Sequence, residues 1–218
     1  MTTIDLTKIS PPDVIEALDF EAIYQEILAN FKQLYPDWTA ALESDPVVKL
    51  LELAAYRETL LRARVNDAAR ACMLPYATGS DLENLAALLG VTRLTDGDTV
   101  ELDDRLRLRA QMALEGETVA GSHGSYVFHA LSASNLVKDV AVDSPVPGQV
   151  RVTILSTEGN GTPDTELIDI VDSYLSAETR RPLTDMVTVE AAEIVPFTVD
   201  ATLHVYTGPV SGPDSDRS

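Results

Sequence analysis

The chain has 218 residues, enough for one large domain or two modest ones. Thirty-five acidic residues against sixteen basic give a formal charge of −19, which argues against nucleic acid or an anionic membrane as the main partner. Apolar residues make up 45% with no run of about eighteen, no apolar leader at the N-terminus and a single cysteine, Cys72. That composition fits a folded soluble protein made in the cytoplasm, without a membrane span or an intrachain disulfide, with Cys72 as a small buried hydrophobe.

Ser10-Pro11-Pro12 mark an extended lead-in. Asp19 then caps a predicted helix with Phe20, Ile23, Tyr24, Ile27, Leu28, Phe31 and Leu34 on one face, and Tyr35-Pro36 end it. Ser44 is the expected cap of a longer helix, with Asp45 and Pro46 in its first turn. No glycine or proline follows until Pro75, so the helix would reach roughly 40 Å at 1.5 Å per residue. Val47, Leu51, Ala54, Leu61, Val65, Ala68 and Cys72 recur near a 3.5-residue spacing, broken at Glu58, and Leu50, Leu53 and Leu60 lie alongside. A stripe this wide calls for helical partners, although an ordinary core helix would show the same pattern. The expected partner interface is Leu51, Ala54, Leu61, Val65 and Ala68, with Arg57 and Arg64 facing acidic surface on another subunit.

Beyond a break at Leu74–Gly79, Ser80 and Glu83 form an expected capping box for a short helix that Gly90 terminates. Asp96-Gly97-Asp98 reads as a turn, and a further helix runs from Leu102 to about Glu115. Past Thr118 the pattern changes. Gly121-Ser122 open a helix with Tyr126, Val127, Ala130 and Leu131 facing inward, and alternating runs follow at Leu136–Asp143 and Gln149–Thr157. Thr162-Pro163-Asp164 start another helix, stopped by Arg180-Arg181-Pro182, before runs at Met186–Ile194 and Pro196–Tyr206. The order helix, strand, strand, helix, strand, strand predicts an α+β fold: a helical region, residues 1–118, and a domain with a mainly antiparallel sheet, residues 119–208. Thr207–Ser218 has no periodicity, and residues 209–218 are expected to be a disordered or cut tail.

Little in the chain asks for catalysis. The histidines, His123, His129 and His204, form neither an H-E-x-x-H pair nor a Cys/His cluster, and Ser122-His123-Gly124-Ser125 reads as a helix cap. Gly159-Asn160-Gly161 lacks the lysine of a P-loop. Asp96, Asp98, Glu101, Asp103 and Asp104 miss the EF-hand spacing and default to a solvated acidic loop. They are the basis of the alternative reading, a carboxylate-based metal-binding or small-molecule enzyme domain. No cofactor, metal or catalytic residue is expected.

Four segments carry a family likeness: LPYATGSDLENLAALLGVTRL (Leu74–Leu94), AGSHGSYVFHALSAS (Ala120–Ser134), VKDVAVDSPVPGQVRVTIL (Val137–Leu155) and RRPLTDMVTVEAAEIVPFTVDATLHVY (Arg180–Tyr206). In order and spacing the chain resembles the baseplate J-like proteins of contractile-tailed phages and R-type bacteriocins. The resemblance implies a non-enzymatic structural part of the baseplate wedge, made in the bacterial cytoplasm and residing in the virion or bacteriocin baseplate. It implies a second copy of the chain and a baseplate I-like protein as wedge partners, with an intertwined bundle of N-terminal helices. Neighbouring wedges, sheath-initiating proteins and hub or spike proteins complete a ring that rearranges on contraction, with rotation expected at Leu74–Gly79 and Gly116–Gly121. Neither nucleic acid, membrane nor small-molecule substrate is implied. Relatives of this kind continue past the strand ending at Tyr206, so a shortened chain or a missing remainder is expected.

Overall fold

The computed structural model describes residues 4–39, 42–118 and 120–203. A helical arm comes first. Helix α1, Phe20–Leu34, is capped by Asp19, whose carboxylate accepts from Glu21 N at 2.9 Å and Ala22 N at 3.2 Å. Helix α2, Pro46–Ala71, packs against it and is capped by Asp45, which accepts from Val47 N at 2.8 Å. Ser44 is not the cap, because Pro46 at the first helical position makes Asp45 the last residue with extended backbone.

Helix α3, Gly79–Ala87, departs from the expected capping box. Its terminal N–H, on Gly79, donates to Asp103 at 3.0 Å, a cap supplied from a later helix, while Glu83 turns away to accept from Arg93. Two short strands, β1 (Thr95–Asp96) and β2 (Thr99–Val100), form a hairpin around Gly97, which has φ 57°. Helix α4, Asp103–Gly116, packs on α3 through Leu82, Ala86, Leu106 and Ala110.

Helix α5, His123–Ala133, is capped by Ser122 and leads into β3, Val137–Asp143. Strand β4, Gln149–Ser156, pairs antiparallel with β3, setting Val142 opposite Val152 and Val140 opposite Ile154. Helix α6, Thr165–Leu175, capped by Asp164, then crosses over to β5, Met186–Ala191, which pairs parallel to β4 with Val152 opposite Val189. The fold is α+β, but the three-stranded sheet, in the order β3-β4-β5, is mixed where a mainly antiparallel sheet was expected. A parallel neighbour needs a crossover, and α6 is that crossover. Helices α5 and α6 cover one face, and Tyr126, Ala130, Val137, Val152, Ile154, Leu167, Val171 and Leu175 form the core.

The run at Pro196–Tyr206 does not become a strand over its described part. Residues 196–203 pair with no neighbour among the described residues, and Phe197, Val199 and Leu203 are exposed; 204–206, including His204, lie outside the described residues, as does the tail expected at 209–218. Alternation makes a segment compatible with a sheet, but a strand also needs a ladder to join. Among the described residues no helix is long and apolar enough to cross a membrane.

Candidate subunit interface

Successive residues of a helix are 100° apart, so α2 can be divided by angle. Val48, Ala55, Thr59, Arg62 and Asn66 lie on one side, the side of α1 and the lead-in before it, and are buried or half-buried. Leu50, Leu53, Ala54, Arg57, Leu60, Leu61, Arg64, Val65 and Ala68 lie on the opposite side, and all are exposed. Leu50 is 65% exposed, Leu61 64% and Val65 57%. A stripe of leucines this long, open to water, is not how an isolated soluble domain presents a helix.

Six of the seven interface residues expected from the sequence therefore share one open face: Ala54, Arg57, Leu61, Arg64, Val65 and Ala68. Leu51 does not belong with them. It is half-buried at the edge of the α1-facing side, because the 3.6-residue turn carries it away from a seam counted at 3.5. Leu50, Leu53 and Leu60 widen the face, and Cys72 past its end is exposed rather than buried, since nothing among the described residues covers this side. Among the described residues Arg57 and Arg64 make no ion pair, whereas Arg62 joins Glu58 at 2.6 Å and Glu16 at 3.2 Å. The open face thus offers leucine and unpaired positive charge on a strongly acidic chain, a pattern suited to another acidic protein surface.

Of the carboxylates at 96–104, Asp98 and Asp104 are exposed as a solvated loop would have them, whereas Asp96, Glu101 and Asp103 are structural. Glu101 is buried and accepts from Arg109 Nη1 at 2.7 Å and Leu94 N at 3.0 Å, with Arg105 Nε at 3.3 Å. Burial pushes the Arg105 pKa down against the pull of Glu101, and the guanidinium spends its donors on the carbonyls of Leu131, Ser134 and Val137. Asp103 accepts from Gly79 N and from Arg93 Nη2 at 2.7 Å, and these two bonds hold its carboxyl below the usual range. Asp96 accepts from Asn135 N at 2.6 Å and Ser134 Oγ at 3.0 Å. These bonds fasten α3, the β1–β2 hairpin and α4 to the α5–β3 corner. Sequence reading missed those to Gly79 and to the α5–β3 corner because they join residues more than twenty positions apart. Among the described residues no group of three or more His, Cys, Asp or Glu is placed to hold a metal ion.

Side-chain contacts reach both glycine-bearing breaks at their described residues. Arg107 donates to the carbonyls of Leu74 at 2.9 Å and Ala77 at 2.8 Å, tying the first to α4. In the second, Gly116 lies against the Phe128 ring, its carbonyl is bonded to His129 Nε2 at 3.2 Å, and Gly121 lies beside Pro182 and Asp185.

With this geometry in hand, likeness to known proteins is informative. The baseplate J-like N-terminal domain matches residues 43–96, which hold α2 and α3. The baseplate J-like central domain matches residues 118–191, which hold the α5–β5 unit. Baseplate protein J of Escherichia phage P2 is 45% identical over 231 aligned positions, spanning 98% of this chain and 76% of the phage protein.

Proposed function

The chain belongs to the baseplate J-like family, whose members are structural components of the phage virion baseplate, and on that premise we propose that its α1–α2 arm is the part that assembles the wedge. Two copies pack the open faces of α2 together with a baseplate I-like chain into a helical core. In this reading residues 1–118 supply the wedge core and residues 119–208 the α+β domain that reaches neighbouring wedges. The ring so formed encloses the hub and spike, meets the sheath-initiating proteins and rearranges on contraction without chemistry of its own.

One observation supports the assembly reading above all: α2 keeps its widest apolar stripe on the side opposite α1. Burying a leucine in a partner is worth about 1.5–3 kcal/mol. Sedimentation of the chain alone and mixed with its baseplate I-like protein tests the reading. Wild type should associate, and Leu61→Glu with Val65→Glu should abolish association while leaving the melting temperature of the monomer unchanged. A wild-type chain that stays monomeric at high concentration and ignores the baseplate I-like protein would overturn it.

A further inference from the structure

Among the described residues α2 packs on α1 and on no other helix or strand to a comparable extent, which leaves few connections to hold the arm at an angle. One is the covalent joint after Ala71. Arg107 fixes Leu74 and Ala77 to α4, and Met73 carries the turn between them and the arm. Its N–H donates to the Arg70 carbonyl at 3.0 Å and its carbonyl accepts from Tyr76 N at 3.0 Å and Ala77 N at 2.8 Å, so any change of angle at the joint falls on Cys72 and Met73. The second is the lead-in, which touches both sides of that pivot. The Ile4 carbonyl accepts from Gln111 Nε2 on α4 at 2.6 Å, and the Ile9 carbonyl accepts from Tyr76 Oη at 2.7 Å. Both contacts lie on the α4 side. On the arm side, Glu16 is gripped twice by buried Asn66 of α2: its N–H donates to Oδ1 at 3.1 Å, and its carbonyl accepts from Nδ2 at 2.9 Å. Arg62 adds a bond to the Glu16 carboxylate at 3.2 Å.

The interval between these anchors contains Pro11-Pro12, followed by a turn in which Ile15 N donates to the Pro12 carbonyl at 3.0 Å. Proline fixes φ near −65°, so this stretch resists bending in a way a glycine-rich link would not. Two attachments on opposite sides of one pivot hold an angle; a single attachment lets it turn. We propose that residues 4–18 are a strut that sets the angle of the α1–α2 arm, and that releasing its contacts with Gln111 and Tyr76 frees the arm to swing about Cys72–Met73. Backbone carbonyls make both of these contacts, so a partner can displace them without altering a side chain of the strut. The inference is independent of which chain covers the open face of α2.

The test is a distance measurement between spin labels at Asn30→Cys on α1 and Lys138→Cys on β3, in a Cys72→Ser background diluted with unlabelled chain. The full chain should give one narrow distribution. Tyr76→Phe with Gln111→Ala, which removes a hydroxyl and an amide outside the arm, should roughly double its width or add a second distance. Asn66→Ala should do the same, and where it also lowers helical content the Tyr76 and Gln111 variant decides. An unchanged distribution in that variant, or a broad one in the unsubstituted strut, overturns the proposal.

Discussion

Helices α2 and α4 are both amphipathic and rich in arginine, yet they are used in opposite ways. Of the twenty-six residues of α2, the buried ones are Val48, Ala55 and Asn66. Helix α4 is fourteen residues long and buries Leu106, Arg109, Ala110, Met112 and Ala113. Its arginines turn inward: Arg105, Arg107 and Arg109 satisfy carbonyls from the α2–α3 break, the β1 lead-in and the α5–β3 corner. On α2, Arg57 and Arg64 point to water beside exposed leucines. Helix length and charge do not reveal which helix holds a domain together; the availability of partners does.

The sharpest way to break this contrast is at Glu101. Glu101→Ala leaves Arg105 and Arg109 without their carboxylate in a buried site and is expected to cost about 3–5 kcal/mol of stability. Urea unfolding measures it, and a loss below about 1 kcal/mol would mean that the interlock of α4 matters little. A pair of leucine truncations sharpens the comparison next. Leu106→Ala, in the fully buried core of α4, should cost about 2–5 kcal/mol, whereas Leu61→Ala on the open face of α2 should change the monomer by no more than about 0.5 kcal/mol. Equal losses would place Leu61 in an intrachain core.

Smaller effects concern pH. Burial lowers the His129 pKa from its ordinary 6.5, with Arg180 lowering it further and the Gly116 carbonyl and Glu117 opposing. The folded state therefore favours the neutral ring, a contribution fully present above pH 6.5 and lost as pH falls toward the depressed folded value. His129→Gln retains a donor for Gly116, so melting temperatures recorded from about pH 7 to about pH 5 should fall less steeply in the variant. The smallest effect belongs to Asp103, held below its ordinary 3.8 by Gly79 N–H and Arg93. Its contribution is present above pH 3.8 and lost as pH drops through the folded value, so Asp103→Asn should flatten the acid limb of the stability curve and leave its shape near neutrality unchanged.

Much of the local structure was legible in the chain. Asp19, Ser122 and Asp164 cap the helices expected of them, and Gly90 has the φ of 73° that its place after α3 requires. Cap chemistry and periodicity act over a few residues, so they can be read without knowing the fold. The errors share a different origin. Ser80 and Glu83 satisfy the capping-box pattern, but Arg93 and Asp103, brought up by folding, make better partners for Glu83 and for the Gly79 N–H. Residues 196–203 alternate like a strand and find no ladder. Six of the seven residues expected on the partner face do share an open side of α2, because a surplus of apolar positions is visible in sequence before any contact is known.

Sequence by itself determined the helices, the caps of α1, α5 and α6, the alternation of β3 and β4 and the excess of leucine on α2, all of which follow from periods of 3.6 or 2 residues and from short-range hydrogen bonding. Only the tertiary structure decided which side of α2 meets α1, that β5 joins β4 in parallel, and that Glu101 of the acidic stretch is buried between Arg105 and Arg109. Those outcomes depend on which distant groups reach one another once the chain is compact, where a buried charge must find its counter-charge and an apolar face that meets no neighbour among the described residues stays open to water.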